Sequence, residues 1–295
     1  LKALGQILFY LVATVLIGAL LAPALYWSAH LAANHLHSAT IDDFLGRTDF
    51  TRFFHRAMTV SALALLWPLL RMLRIENFAF DLGLVHDRRG WKRLLAGFLI
   101  ATIPTLVLAG ILLMTGAYRI HSHIDLTKAV LFPLIAAVAT SLLEEFLFRG
   151  ALQGAVRRTA VDSFAVISVA VLFAVVHFLT PQTAEPAQIH WWSGLALLPD
   201  TFSQFRQPGL LLLGFTSLLI VGLILGYARL KTRSLWMPIG LHAGWVLCKM
   251  SLMEIVRHPK AWPWIGPDIV TGIGPLVTLL ATGGAVWWLL KDTRS

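Results

Sequence analysis

Charge is scarce in this chain. Asp, Glu, Lys and Arg make up 13 % of its 295 residues, and 57 % are hydrophobic. A soluble globular protein carries about 25 % charged residues. The shortage leaves no room for a soluble domain, and the chain reads as a polytopic helical membrane protein. Cysteine is scarcer still, with Cys248 the single instance. No intramolecular disulfide can form, and a zinc site built from several cysteines is excluded. Inside its apolar stretch Cys248 reads as a small packing residue. The chain also lacks Gly-x-Ser-x-Gly and His-Glu-x-x-His, which removes two common hydrolase signatures. Asp162, Asp200 and Asp268 fall at the ends of apolar stretches or between them, which argues against an intramembrane aspartyl pair. No internal repeat or low-complexity segment is visible.

What charge there is leans positive, at net +9. The cations gather at the ends of apolar stretches, as membrane orientation and anionic headgroups require, so membrane lipid is the expected partner and nucleic acid is not. A helix needs about 20 apolar residues to cross a bilayer. By that measure the fold class is all-α, with about eight transmembrane helices at approximately 3–27, 57–75, 93–117, 128–156, 162–180, 209–230, 234–256 and 268–291. The first run, to about Trp27, exceeds the roughly 7 to 15 residues of a signal-peptide core and reads as a span. The segment 181–208, with Trp191, Trp192, Phe202 and Phe205, reads as interfacial or re-entrant, because Trp favours the headgroup level. Three regions follow: a two-span region 1–75, a core 76–256, and a C-terminal span and tail 257–295. Arg88, Arg89, Lys92, Arg157, Arg158, Arg229, Lys231, Arg233, Lys291 and Arg294 fall on one side. The other side keeps Arg47, Arg52, Arg119, Arg206, Arg257 and Lys260. The bias predicts an integral plasma (inner) membrane protein with both termini cytoplasmic.

Within the fourth apolar stretch stand Glu144, Glu145 and Arg149. Each charged side chain near a bilayer centre costs about 2.5 to 3.5 kcal/mol on insertion scales, so three mark a functional site facing a polar cavity. Glu145 and Arg149 are four apart and can pair on one helix face. Glu144 points about 100° away and is free to act as a base. Spans four and five form a hairpin turning near position 160, so residues at equal depth have numbers with a constant sum. Glu144 then lies level with His177, both about 25 Å from the turn at about 1.5 Å per residue. There His177 can orient a water or pass a proton, and Phe173, one turn earlier, can pack on its ring. His242, a few turns into the seventh span, can donate a hydrogen bond to a developing oxyanion.

With Glu144-Glu145-x-x-x-Arg149, then Phe173-x-x-x-His177, then His242, the chain resembles the CPBP family of CAAX prenyl endopeptidases and bacteriocin-processing or immunity proteins. The likeness covers roughly residues 75 to 256. It implies an eight-span helical intramembrane endopeptidase acting on a peptide or a lipidated protein. In that reading Glu144 and His177 activate a water, while His242 and an Asn or Asp four residues later form the oxyanion site. Here that position is Val246, whose side chain donates nothing. Zinc held by Glu144, His177 and His242, with water as a fourth ligand, is the alternative mechanism; a metal-free site is favoured because no His-Glu-x-x-His motif is present. A non-catalytic immunity or peptide-binding protein and a proton-coupled transporter are the competing functions. His35, His37, His121, His123, His190 and His258 fall on the outer side and read as solvated.

Overall fold

The computed structural model describes residues 2–36, 45, 48–73, 82–83, 88–158, 160–179, 188–206, 208–257, 263–266 and 269–293. His37, Arg47, His258, Lys260, Asp268 and Arg294 lie outside the described residues, as do most of the connection 74–87 and the stretch 181–187. Among the described residues the fold is all-α apart from one two-residue ladder. The chain divides into two compact units, residues 1–75 with 178–207, and residues 76–177 with 208–295.

The first unit contains α1 (Lys2–Leu36) and α2 (Phe50–Met72). These are antiparallel: Gln6 Nε2 donates to the Met72 carbonyl at 3.1 Å, and the Tyr10 hydroxyl to that of Ala62 at 2.9 Å. Small residues let the helices approach closely. A Cβ on Gly18 would lie 2.9 Å from the Met58 Cα. Ala19, Ala22, Phe50, Phe53, Phe54 and Ala57 form the buried seam. Helix α1 outruns its apolar stretch at the C-terminal end and α2 at the N-terminal end, because hydropathy reports the membrane and not the helix end.

The second unit contains α3 (Gly90–Met114), α4 (Phe132–Glu145), α5 (Gln153–Arg157) and α6 (Asp162–Phe178), followed by α8 (Pro208–Thr232), α9 (Trp236–Ile255) and α10 (Ile273–Leu290). A short α7 (Ser193–Ala196) belongs to the first unit. π-helical turns at Thr127–Leu131 and Phe146–Leu152 join α4 to its flanks, so one continuous helix runs from Thr127 to Arg157. Strands β1 (Arg119–Ile120) and β2 (Val256–Arg257) pair antiparallel. Helix α9 is central, packed by α3, α4 and α8, with α10 against α3 and α8. Its neighbours cover Met237, Leu241, Trp245 and Leu252.

Helix α9 contains Gly240-x-x-x-Gly244, a pattern that permits close helix approach. A Cβ on Gly240 would collide with the Leu94 carbonyl, and one on Gly244 would lie 2.8 Å from that of Phe98. From the α3 side, a Cβ on Gly97 would lie 2.5 Å from the Met237 carbonyl. The two backbones therefore touch. His242, midway between the glycines, is turned about 200° from each and faces away from α3, towards α4.

Among the described residues six helices are long and apolar enough to cross a membrane: Gly5–His35, Phe50–Met72, Gly90–Met114, Thr127–Arg157, Leu211–Thr232 and Ile273–Leu290. The two expected spans outside this set are α6, which is 17 residues long, and α9, which is interrupted by His242 and Lys249. These are the helices that carry the site histidines. Their neighbours, more than their own hydropathy, make them part of a membrane protein.

Candidate active site

Helix α4 ends on Glu144 and Glu145, and the π-helical turn Phe146–Leu152 follows at once. Such turns are frequent at functional sites. Within it Arg149 reaches back, and its Nη1 donates to Glu145 Oε1 at 3.0 Å. Both side chains are fully buried, at 1 % and 0 % exposure. His242 Nδ1 makes a 2.7 Å bond to the same Oε1. Glu145 thus holds a cation and an imidazole at once, which is how a charge can remain inside a fold. Glu144 and His177 form the open edge, at 22 % and 31 % exposure.

The hydrogen bonds determine the histidine tautomers. His177 Nδ1 lies 2.8 Å from the Phe173 carbonyl, an acceptor, so that nitrogen carries the hydrogen. His242 Nδ1 likewise faces a carboxylate oxygen that already accepts from Arg149. In the neutral rings each Nε2 is therefore a lone-pair acceptor. Both point at one atom: Glu144 Oε2 is 3.5 Å from His177 Nε2 and 3.9 Å from His242 Nε2. That oxygen is buried and has no hydrogen-bond partner among the described residues. Three acceptors facing one another call for a group that donates hydrogens, and a water fits.

Phe173 organises the cluster. Its ring is 4.2 Å from that of His177 and 6.1 Å from that of His242, and the Arg149 guanidinium lies 4.4 Å over its face. Phe148 meets it edge-on at 5.2 Å. The structure brings together all six expected residues, Glu144, Glu145, Arg149, Phe173, His177 and His242. It adds one contact that the sequence did not indicate, the hydrogen bond from His242 Nδ1 to Glu145. Two neighbours were missed. Phe148 lay inside the motif, and Gln153 continues the four-residue spacing from Glu145 through Arg149; that spacing was the available signal.

Among the described residues no three His, Cys, Asp or Glu side chains are grouped closely enough to hold a metal ion. This applies to Glu144, His177 and His242 as they stand, and to the described outer histidines.

The site is a buried acid, histidine and arginine cluster within an all-α integral membrane protein, an arrangement suited to moving protons and polarising a bond. Residues 126–248 match the family model for type II CAAX prenyl endopeptidases, Rce1-like. The matched stretch contains all six residues and bears out the resemblance to the CPBP protease family. No curated protein and no solved structure matches the chain.

Proposed function

We propose that the chain is an intramembrane endopeptidase of the CAAX-protease kind, in which Glu144 activates a water for attack on a peptide bond. The observation that carries this is the convergence of two imidazole Nε2 atoms on Glu144 Oε2, at 3.5 and 3.9 Å, with both Nδ1 atoms already committed. A water there donates one hydrogen to Glu144 and one to His177, leaving an oxygen lone pair for the carbonyl carbon. Glu144 takes the proton as the oxygen attacks, and returns it to the leaving amine. The proton that Glu144 takes can be shared with His242 Nε2, 3.9 Å away, which then donates to the oxyanion while Glu145 supports the ring from behind. Val246 adds no side-chain donor, so turnover is slow.

Zinc is the second mechanism. It would use Glu144, His177 and His242 drawn closer together than they stand, and the carboxylate and carbonyl held by the other ring nitrogens are the partners that metal-binding histidines commonly have. Activity that survives exhaustive chelation removes it. The family match supports a lipidated protein or peptide as substrate. The packing of α6 and α9 within their unit supports eight spans, and the cation bias supports cytoplasmic termini in the plasma membrane. The test compares peptide termini in membranes from cells expressing wild type or Glu144→Gln. Termini present only with wild type support the protease and identify its substrate. Identical termini, with both proteins folded and abundant, sink it in favour of a peptide-binding protein; pH-gradient-driven flux in vesicles would point to a transporter.

A further inference from the structure

Beyond the carboxylate pair, the helix Thr127–Arg157 carries a polar side chain at every fourth position: Glu145, Arg149, Gln153 and Arg157. In a straight α-helix such a row drifts around the axis by about 40° each step. The π-helical turn at Phe146–Leu152 takes more residues per turn and opposes the drift, so the row stays on one face. Glu145, Arg149 and Gln153 are each no more than 1 % exposed. The row reaches the surface where Arg157 Nε donates to Asp162 Oδ1 at 2.6 Å; these side chains are 28 % and 46 % exposed. From Glu145 to Arg157 is on the order of 18 Å.

Four buried atoms along this row have no hydrogen-bond partner among the described residues: Glu145 Oε2, Arg149 Nε, Arg149 Nη2 and Gln153 Oε1. They run acceptor, donor, donor, acceptor. Gln153 is held in place from its other end, where Nε2 donates to the Gly226 carbonyl at 3.0 Å. A Cβ on Gly226 would lie 3.3 Å from Gln153 Oε1, so the glycine leaves that oxygen room. Buried polar groups left over by the protein are satisfied by ordered water, which typically makes about three hydrogen bonds.

We propose that this face of the helix holds a file of bound water, anchored by Glu145, Arg149 and Gln153, that links the candidate active site to the helix end at Arg157 and Asp162. The role of the file, though not its presence, rests on the hydrolytic reading above. Hydrolysis consumes a water at each turnover, and protons on the cluster must exchange with bulk solvent. The row continues through the 2.7 Å bond from Glu145 to His242 and on to Glu144, so protons exchange from the side opposite the open edge, which itself admits the water consumed. Gln153 is a positioning residue: it touches the water and not the substrate.

The test uses the full chain in detergent and Gln153→Leu, which keeps the size and removes both polar atoms. X-ray hydroxyl-radical labelling, read by mass spectrometry, compares Phe148 beside Arg149 with Phe53, an equally buried ring in the first unit. Bound water predicts that Phe148 labels about fivefold faster in wild type, and that Gln153→Leu abolishes the difference. Equal labelling in wild type overturns the file. On the substrate found with wild type, Gln153→Leu is expected to lower kcat about tenfold with KM unchanged, and Gln153→Glu, which keeps an acceptor beside Arg149, to recover most of it. An unchanged kcat overturns the role. Should Gln153→Leu not fold, Gly226→Ala crowds the same oxygen and takes its place in both assays. Cleavage that survives Glu144→Gln refutes the protease reading instead, and leaves the labelling result standing.

Discussion

Helix α9 meets two neighbours through opposite faces. Towards α3 it presents Gly240 and Gly244, and the backbones are in contact, with only the small Thr102 hydroxyl beside Gly244. Towards α4 it presents His242, which lies 2.7 Å from a buried carboxylate that also holds an arginine. The first face is tolerant in chemistry and intolerant in size; the second is the reverse. The difference teaches how a charged cluster is kept in register inside a membrane protein. Hydrogen bonds lose their strength within a few tenths of an ångström, so the polar face needs a rigid reference. The glycine seam supplies it by setting both the height and the rotation of α9.

The comparison breaks first at the seam. Gly240→Leu puts a branched side chain where a Cβ already collides with the Leu94 carbonyl, and no folded protein is expected by size-exclusion chromatography. Glu144→Gln acts on the opposite face and spares the seam. It is expected to cut kcat about 10³-fold while shifting stability by less than about 1 kcal/mol; a lost melting transition would contradict this separation. Arg149→Leu leaves Glu145 buried with half its partners and should cost about 3 kcal/mol in thermal melts. Glu145→Leu combined with Arg149→Leu should recover most of that stability and none of the activity. Val246→Asn sharpens the contrast most gently. It adds a side-chain donor one turn beyond His242 and is expected to raise kcat about tenfold; an unchanged rate would show that the oxyanion is held elsewhere.

Much of this was legible before any coordinates. The apolar run at 162–180 became Asp162–Phe178, and that at 234–256 became Trp236–Ile255. The equal-depth argument brought His177 level with Glu144, and their side chains lie 3.5 Å apart, because a tight hairpin leaves little freedom in register. The partner of His242 was not legible. It depends on how α9 is rotated, which the glycine seam with α3 decides, and a glycine pair does not reveal its neighbour. The start of α2 was missed because Arg52, His55 and Arg56 made residues 50–56 resemble a connection, although Phe50, Phe53 and Phe54 form its buried face. The π-helical turn was invisible because no residue type marks a bond to the fifth residue.

That turn makes the helix behave like two gears offset by part of a tooth. Each of its residues advances the chain by less than the 100° of an α-helix, so the segments before and after it are out of phase with any single straight helix. Deleting one residue between Phe146 and Leu152 would remove the offset. The downstream half, with Gln153 and Arg157, would swing by about a quarter turn relative to Glu144 and Glu145, carrying its polar row off the line that now leads from the carboxylates. The spacing of this motif is therefore a matter of phase as well as distance, and residue identities alone would not preserve it.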